Sequence, residues 1–287
     1  MGVQDHIKKV GVVGAGTMGQ GIAQVAAMAG YQVVLYDINK DTLKKAQAAI
    51  LLNLQKGIER GKVSEELMDQ TLDRLTLTDQ IMEVTADLII EAILEDLAVK
   101  QQLFADLEAI NSPQTYYTSN TSSIPVTQIA AGLNNPARFA GLHFFNPAHI
   151  MKLVEIISGS ATDPELIQLL QDFTVSLGKT GVVANDSPGF IVNRVARHYY
   201  VESLKILEEG VSDVQGIDTL LEATGFPLGP FRLMDLIGID TNYAVTKSMY
   251  RAFHNDPKFR PNRIQQQKVD AGHLGRKSGK GFYEYSQ

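Results

Sequence analysis

Two periodicities alternate along the first two-thirds of the chain. Val10-Gly-Val-Val13 and Gln32-Val-Val-Leu-Tyr36 are apolar runs of strand length, and between them Ile22, Val25, Ala26 and Ala29 recur at helical spacing. Gly30 stands where a helix C-cap belongs. A polar helical stretch over about 40–60 runs up to Gly61. Residues 87–90 (Asp-Leu-Ile-Ile) then read as a strand, 97–110 as a helix and 116–119 (Tyr-Tyr-Thr-Ser) as a strand. Such a βαβ rhythm predicts a parallel sheet covered by helices, with a ligand crevice beyond the carboxyl ends of the strands.

The rhythm changes at 138–145 and 152–157, two short strands joined by only 146–151. That link is too short for a crossover helix, so the pair is expected to be antiparallel. A helix over 164–177 and a strand over 180–184 follow. Past Asp186 the strand signals stop. Residues 190–209 form a long helical pattern with Asp186 or Ser187 expected at its N-cap and Gly210 at its end. Further helical stretches reach about residue 270, punctuated by Gly216, Gly225, Pro227, Gly229 and Gly238. The expectation is an α/β domain over 1–186 and an all-α domain over 187–287, whose apolar faces suit dimerisation.

The glycines place chemistry on this frame. Gly14, Gly16 and Gly19 follow the first strand at G-x-G-x-x-G spacing and a helical pattern begins at once. Gly14 permits the tight turn, Gly16 lets the backbone approach a pyrophosphate, and Gly19 lets helix and strand pack closely. Thr17 and Met18 complete the turn, at the positive end of the helix where phosphate oxygens meet backbone amides. Asp37 closes the second strand about 20 residues on, where a carboxylate accepts from a ribose 2′-hydroxyl and repels a 2′-phosphate. The α/β domain is therefore read as Rossmann-type with NAD, rather than NADP, as cofactor. The plainer alternative is a βαβ unit with an ordinary tight turn.

Composition narrows the field. The 287 residues are 44% hydrophobic and 20% charged, with net charge −6, which argues against a general nucleic-acid binder. There is no cysteine, so disulfides, thiolate metal sites and cysteine nucleophiles are excluded. His6, His149, His198, His254 and His273 are scattered without ligand spacing, and no metal site is expected. No apolar run approaches the roughly 18 residues that span a bilayer. The first residues lack the features of a signal peptide, so a cytoplasmic location is expected.

The hairpin carries the sharpest clue. A turn centred near His149 sets His143 opposite Glu155 on one face, within reach of a cross-strand pair. A carboxylate beside an imidazole selects one tautomer and raises its basicity, which suits the base that alcohol oxidation by NAD requires. A purely structural histidine–glutamate pair is the alternative reading.

Longer motifs add a resemblance. Ser119-Asn-Thr-Ser-Ser123, Gly141-Leu-His-Phe-Phe-Asn-Pro147, Lys152-Leu-Val-Glu155, Asp186-Ser-Pro-Gly-Phe-Ile-Val-Asn-Arg194 and Leu274-Gly-Arg-Lys-Ser-Gly-Lys-Gly-Phe-Tyr283 occur in this order. Together they resemble the short-chain L-3-hydroxyacyl-CoA dehydrogenase family over essentially the whole chain. The resemblance implies NAD-dependent oxidation of a 3-hydroxyacyl-CoA, with a short acyl chain such as 3-hydroxybutyryl favoured. It implies that His143 is the catalytic base, that Glu155 orients it, and that Ser122 hydrogen-bonds the substrate's 3-oxygen. Asn193 is implied to position the substrate carbonyl and His143, and Glu95 and Lys100 to contact the cofactor. The helix after Asp37 resembles the one that meets coenzyme A, with Lys56 and Arg60 as its best candidate cations. A homodimer through the C-terminal helical domain is also implied. Plainer roles stand beside these: Ser122 as N-cap of a helix starting near Pro125, Asn193 as an inter-domain amide, Lys56 and Arg60 as a solvated face. Asn146 is expected to shape the hairpin turn and to touch the site. A dehydrogenase of a free hydroxy or sugar acid, and a non-catalytic crystallin-like NAD-binding protein, remain as rival functions.

Overall fold

The computed structural model describes residues 2–285. The chain divides into two units, Met1–Ser187 and Pro188–Gln287.

The first unit is built on a sheet with strands β1 (Lys9–Val13), β2 (Gln32–Tyr36), β3 (Leu75–Thr78), β4 (Leu88–Glu91), β5 (Tyr116–Ser119), β6 (Phe139–Phe144), β7 (Leu153–Ser158) and β8 (Thr180–Asn185). The spatial order is β3-β2-β1-β4-β5-β6-β7-β8. All neighbours are parallel except β6 and β7, which the short 145–152 connection turns back on each other. The helices are α1 (Val3–His6), α2 (Thr17–Met28), α3 (Lys40–Glu59), α4 (Glu65–Asp73), α5 (Leu97–Ile110), α6 (Val126–Ala130) and α7 (Pro164–Ser176). Strand order reverses between β1 and β4, so the crevice at the carboxyl ends of these two strands is the switch point where such sheets take ligands.

The core explains the strand sequences. Val10, Val12, Leu35, Leu88, Ile90, Leu142, Val154 and Ile156 are fully or almost fully buried, with α2 and α7 laying Ile22, Ala23, Ala26, Leu166, Leu170 and Phe173 on one sheet face. A strand covered on both faces reads as an apolar run rather than an alternation.

The second unit is helical: α8 (Val192–Glu208), α9 (Val214–Ala223), α10 (Pro230–Ile237), α11 (Ile239–Ala252) and α12 (Arg263–Asp270). Tyr200, Leu204, Ile217, Phe231, Met234 and Ile239 form its core.

Three differences from the expectations have local causes. α4 and β3 fill a stretch in which the sequence predicted no element. β3 has only four residues, alternates threonine with leucine and is half exposed, which leaves a weak signal. α8 begins at Val192 rather than Phe190, because Gly189 (φ +73°) and Phe190 (φ +48°) lie in the left-handed region and cannot start a right-handed helix. Ile191 stands at its N-cap in place of the expected Asp186 or Ser187, and Asp186 is engaged elsewhere. Both carboxylate oxygens of Asp186 accept backbone N–H groups at the start of α6, from Val126 (3.0 Å) and Thr127 (2.8 Å). For the same reason Ser122 does not cap α6, whose N-cap is Pro125.

Candidate active site

The turn after β1 is shaped for a dinucleotide. Gly14 has φ +98°, and its N–H donates to Tyr36 O at 2.8 Å, closing β1 onto β2. A Cβ on Gly19 would lie 1.7 Å from Gly14 O, so helix and strand can meet there only without a side chain. Gly16 is different: a Cβ there would touch nothing within 4 Å. The fold does not need a glycine at 16, whereas a ligand seated on the backbone would. Gly16 is also the N-cap of α2, whose first turn contains Thr17, Met18 and Gly19. Helix-start amides have no intrahelical acceptors, which makes the turn a seat for phosphate oxygens.

Asp37 joins this turn to the end of β2. Its Oδ2 accepts from Ala15 N–H and its Oδ1 from Asn39 N–H, both at 2.9 Å. A mostly apolar cavity of 740 Å³ opens beside it, lined by Gly14, Gly16, Asp37, Ile93, Val99 and Leu103 among others. Its size and its mostly apolar lining, with the carboxylates of Asp37 and Asp106 among the polar groups, suit an adenine dinucleotide.

β5 and β6 run parallel to β1 and β4, so their carboxyl ends share the edge that carries the glycine turn. His143 lies one residue from the end of β6. The antiparallel register sets it opposite Glu155, with His143 Nδ1 2.7 Å from Glu155 Oε2. Both side chains are buried. A carboxylate on Nδ1 holds the proton there and leaves Nε2 as the basic nitrogen. The Phe145 ring packs 4.6 Å from the imidazole. Lys179 Nζ donates to Ala148 O (2.6 Å) and Met151 O (2.7 Å), bracing the hairpin turn, which contains the cis Asn146–Pro147 bond. Gly21 of α2 lets this turn approach, since a Cβ there would stand 3.0 Å from the Ala148 side chain. Burial, then the Lys179 charge, holds His149 below the usual histidine range.

The Ser119–Ser123 loop is held by an ionic cluster in which Glu91 and Lys100 are buried and Glu95 is partly exposed. Lys100 is 1% exposed and its Nζ lies 2.5 Å from Glu91 Oε1 and 3.3 Å from Glu95 Oε2. Glu95 Oε1 accepts from Thr121 Oγ1 (2.7 Å), Ser122 N–H (3.0 Å), Ser123 N–H (3.1 Å) and Ser123 Oγ (3.1 Å). Burial opposes ionisation of Glu95, but Lys100 and these donors outweigh it and hold its carboxyl below the usual range. Burial dominates at Glu91 and pushes its carboxyl up, against the pull of Lys100. Asn120, next in the loop, accepts Phe144 N–H at 2.8 Å, which ties the loop to the strand carrying His143.

Of the residues singled out by sequence, the first unit therefore gathers Gly14, Gly16, Thr17, Met18, Gly19 and Asp37 at the crevice, with His143, Glu155, Ser122, Glu95 and Lys100 along the same sheet edge. Lys56 and Arg60 lie exposed at the end of α3. Asn193 is the second residue of α8 in the other unit. Glu91 and Asn120 were not foreseen. The signal for Glu91 was present, because a lone acid ending the apolar run Leu88-Ile-Ile is buried only if paired. Among the described residues no group of three or more metal-ligating side chains comes together. None of the helices in that part of the chain is long and apolar enough to cross a membrane.

Comparison with known proteins places this geometry. Residues 9–187 match the family model for the NAD binding domain of 3-hydroxyacyl-CoA dehydrogenase, and residues 189–285 match that for its C-terminal domain. The chain is 50% identical over 282 residues to a 3-hydroxyadipyl-CoA dehydrogenase of Escherichia coli K12, covering 98% of this chain but only 59% of that protein. It is 41% identical to a 3-hydroxybutyryl-CoA dehydrogenase of Bradyrhizobium diazoefficiens, covering 97% of this chain and 96% of that one. Among solved structures, an (S)-3-hydroxybutyryl-CoA dehydrogenase from Ralstonia eutropha superposes with a TM-score of 0.94 at 37% identity, covering 98% and 100% of the two chains. The chain belongs to the 3-hydroxyacyl-CoA dehydrogenase family.

Proposed function

We propose that this protein catalyses the reversible NAD-dependent oxidation of an L-3-hydroxyacyl-CoA to the 3-oxoacyl-CoA, with a short acyl group such as 3-hydroxybutyryl. The observation that carries the reading is the buried His143–Glu155 pair at 2.7 Å, on the sheet edge that also bears the glycine turn. Bound NAD supplies the hydride acceptor. His143 Nε2 takes the proton of the 3-hydroxyl, and Glu155 stabilises the imidazolium that forms. The Ser122 hydroxyl donates to the 3-oxygen, and Asn193 holds the thioester carbonyl. In the reductive direction protonated His143 returns the proton. Asp37 would accept from the adenosine ribose and the Gly14–Gly19 turn would seat the pyrophosphate. Of Glu95 and Lys100 only Glu95 has surface to offer the cofactor, Lys100 being buried behind it and holding it in place. Lys56 and Arg60 offer charge to the CoA phosphates, and Asn146 borders the substrate.

The same proposal includes a homodimer through the second unit and a cytoplasmic location. Val211, Leu220, Phe226, Leu236 and Ile237 are exposed apolar residues of that unit, which supports pairing with a second copy. The absence of cysteine suits a reducing compartment.

The test is NADH absorbance on mixing with acetoacetyl-CoA, with free acetoacetate and NADPH in parallel. Oxidation that needs both CoA and NADH is the expected result. Equal turnover of the free acid would move the protein to the hydroxy-acid dehydrogenases. NADH binding without turnover of any 3-oxoacyl-CoA, 3-oxoadipyl-CoA included, would make it a binding protein.

A further inference from the structure

Glu91 is a buried acid to which the reaction as described gives no task. It is 0% exposed at the end of β4, and each of its oxygens is engaged. Oε1 accepts from Lys100 Nζ at 2.5 Å and from Ile93 N–H at 2.7 Å. Oε2 accepts from Ser119 Oγ at 2.5 Å. These partners belong to different functional parts. Ile93 lines the cofactor cavity. Ser119 begins the loop bearing Ser122, and its Oγ in turn accepts Thr121 N–H at 3.1 Å. Lys100 extends the cluster to Glu95, which holds the amides of Ser122 and Ser123. The backbone follows the same course, since Asn120 N–H donates to Glu91 O at 2.8 Å and Asn120 Oδ1 accepts from the residue after His143.

We propose that Glu91 is a positioning residue: through Ile93, Ser119 and Lys100 it sets the Ser122 loop in register with the cofactor cavity and with the His143 strand. This rests on the dehydrogenase reading above. A carboxylate suits the task because a single rigid group accepts from three donors at once, and each charge-assisted bond is short and directional. An amide in its place presents one oxygen and one N–H₂, so it cannot satisfy both Lys100 and Ser119 in the same way. Small displacements of groups that hold the reacting oxygen are costly in rate, on the order of 100-fold for 1 Å.

The test compares wild type, Glu91→Gln, Ser119→Ala and the double variant for acetoacetyl-CoA reduction, with NADH binding followed by fluorescence and folding by circular dichroism. The expected result is a kcat lower by about 10-fold or more in each single variant, with KM for acetoacetyl-CoA and Kd for NADH changed by less than about 3-fold. The double variant is expected to lose little more than Glu91→Gln alone, because both break one connection. A merely structural role predicts a lower melting temperature with kcat per folded molecule unchanged, and that result overturns the proposal. Full additivity overturns it also. Should Glu91→Gln fail to fold, Ser119→Ala alone decides by the same kcat criterion. Absence of wild-type turnover overturns the dehydrogenase reading and this proposal with it, whereas wild-type turnover with unaltered variants overturns this proposal alone.

Discussion

Both units bury carboxylates, but they surround them differently. In the first, Glu155 faces an imidazole, and Glu91 pairs with an ammonium that the partly exposed Glu95 also meets. In the second, Asp218 and Asp235 are 0% exposed, and their described partners are backbone amides and tyrosine hydroxyls. Asp218 accepts from Phe231 N–H, Arg232 N–H and Tyr283 Oη, capping α10. Asp235 accepts from Phe282 N–H, Tyr283 N–H and Tyr285 Oη, docking the chain's last segment. Gly281 makes that docking possible, since a Cβ there would stand 2.1 Å from the Asp235 carboxylate. Burial, then the Asp235 hydrogen bond and charge, pushes Tyr285 up to about 12. Even Arg197, buried in the second unit, donates to the neutral oxygens of Asn242 and Thr246. Burial of a charge alone does not mark a reaction site. What distinguishes the proposed reaction site is an imidazole as the carboxylate's partner, at the crevice end of the sheet.

The sharpest way to break this contrast is at its two centres. His143→Gln is expected to lower kcat by about 100- to 10,000-fold, the range of a lost general acid–base, in a protein that still melts cooperatively. Retained turnover would reduce the His143–Glu155 pair to a structural one. Asp235→Ala is expected to do the reverse. It leaves two amides and a hydroxyl without their acceptor, at a cost of about 1–3 kcal/mol for each that stays buried, so the melting temperature falls and limited proteolysis cuts the last segment. Its kcat per folded molecule should match wild type; a comparable loss of kcat would erase the distinction between the units.

A smaller effect sharpens the cofactor side. Asp37→Asn keeps an acceptor for Ala15 N–H but removes the charge that repels a 2′-phosphate. The ratio of NADPH to NADH turnover is expected to rise about 10-fold, an electrostatic change of about 1.4 kcal/mol, measured from kcat/KM for each. An unchanged ratio would place the ribose elsewhere.

The smallest expected effect is in acid. Glu95 has a folded-state value below the ordinary glutamate one of about 4.3, so the stability it contributes is complete above that pH. That contribution is lost as pH falls through the lower, folded-state value. Melting temperature followed from pH 6 to 3 should therefore fall less steeply in Glu95→Gln than in wild type, and parallel curves would remove Glu95 from the charged cluster.

Much of the first unit could be read from local pattern. Gln32–Tyr36, Leu97–Ile110 and Tyr116–Ser119 begin and end where the apolar runs and periodicity place them. The hairpin register followed from the length of one connection, and with it the meeting of His143 and Glu155. β3 was not legible, since a four-residue, half-exposed strand is stabilised by pairing to β2 rather than by its own pattern. The start of α8 was misplaced because a carboxylate cap is a local rule, and Asp186 meets a helix start about 60 residues earlier in the chain, where α6 offers its amides.

By itself the sequence determined the alternation of strands and helices, the glycine turn with its acid and the order of the family's motifs. The elements are set by interactions over a few residues, and the turn by glycines needed for a left-handed backbone at 14 and a close approach at 19. Tertiary structure alone decided which buried charges meet. Glu91, Lys100 and Ser119 come from β4, α5 and β5, and a carboxylate's worth inside a protein depends on the donors that long-range packing brings within about 3 Å of it.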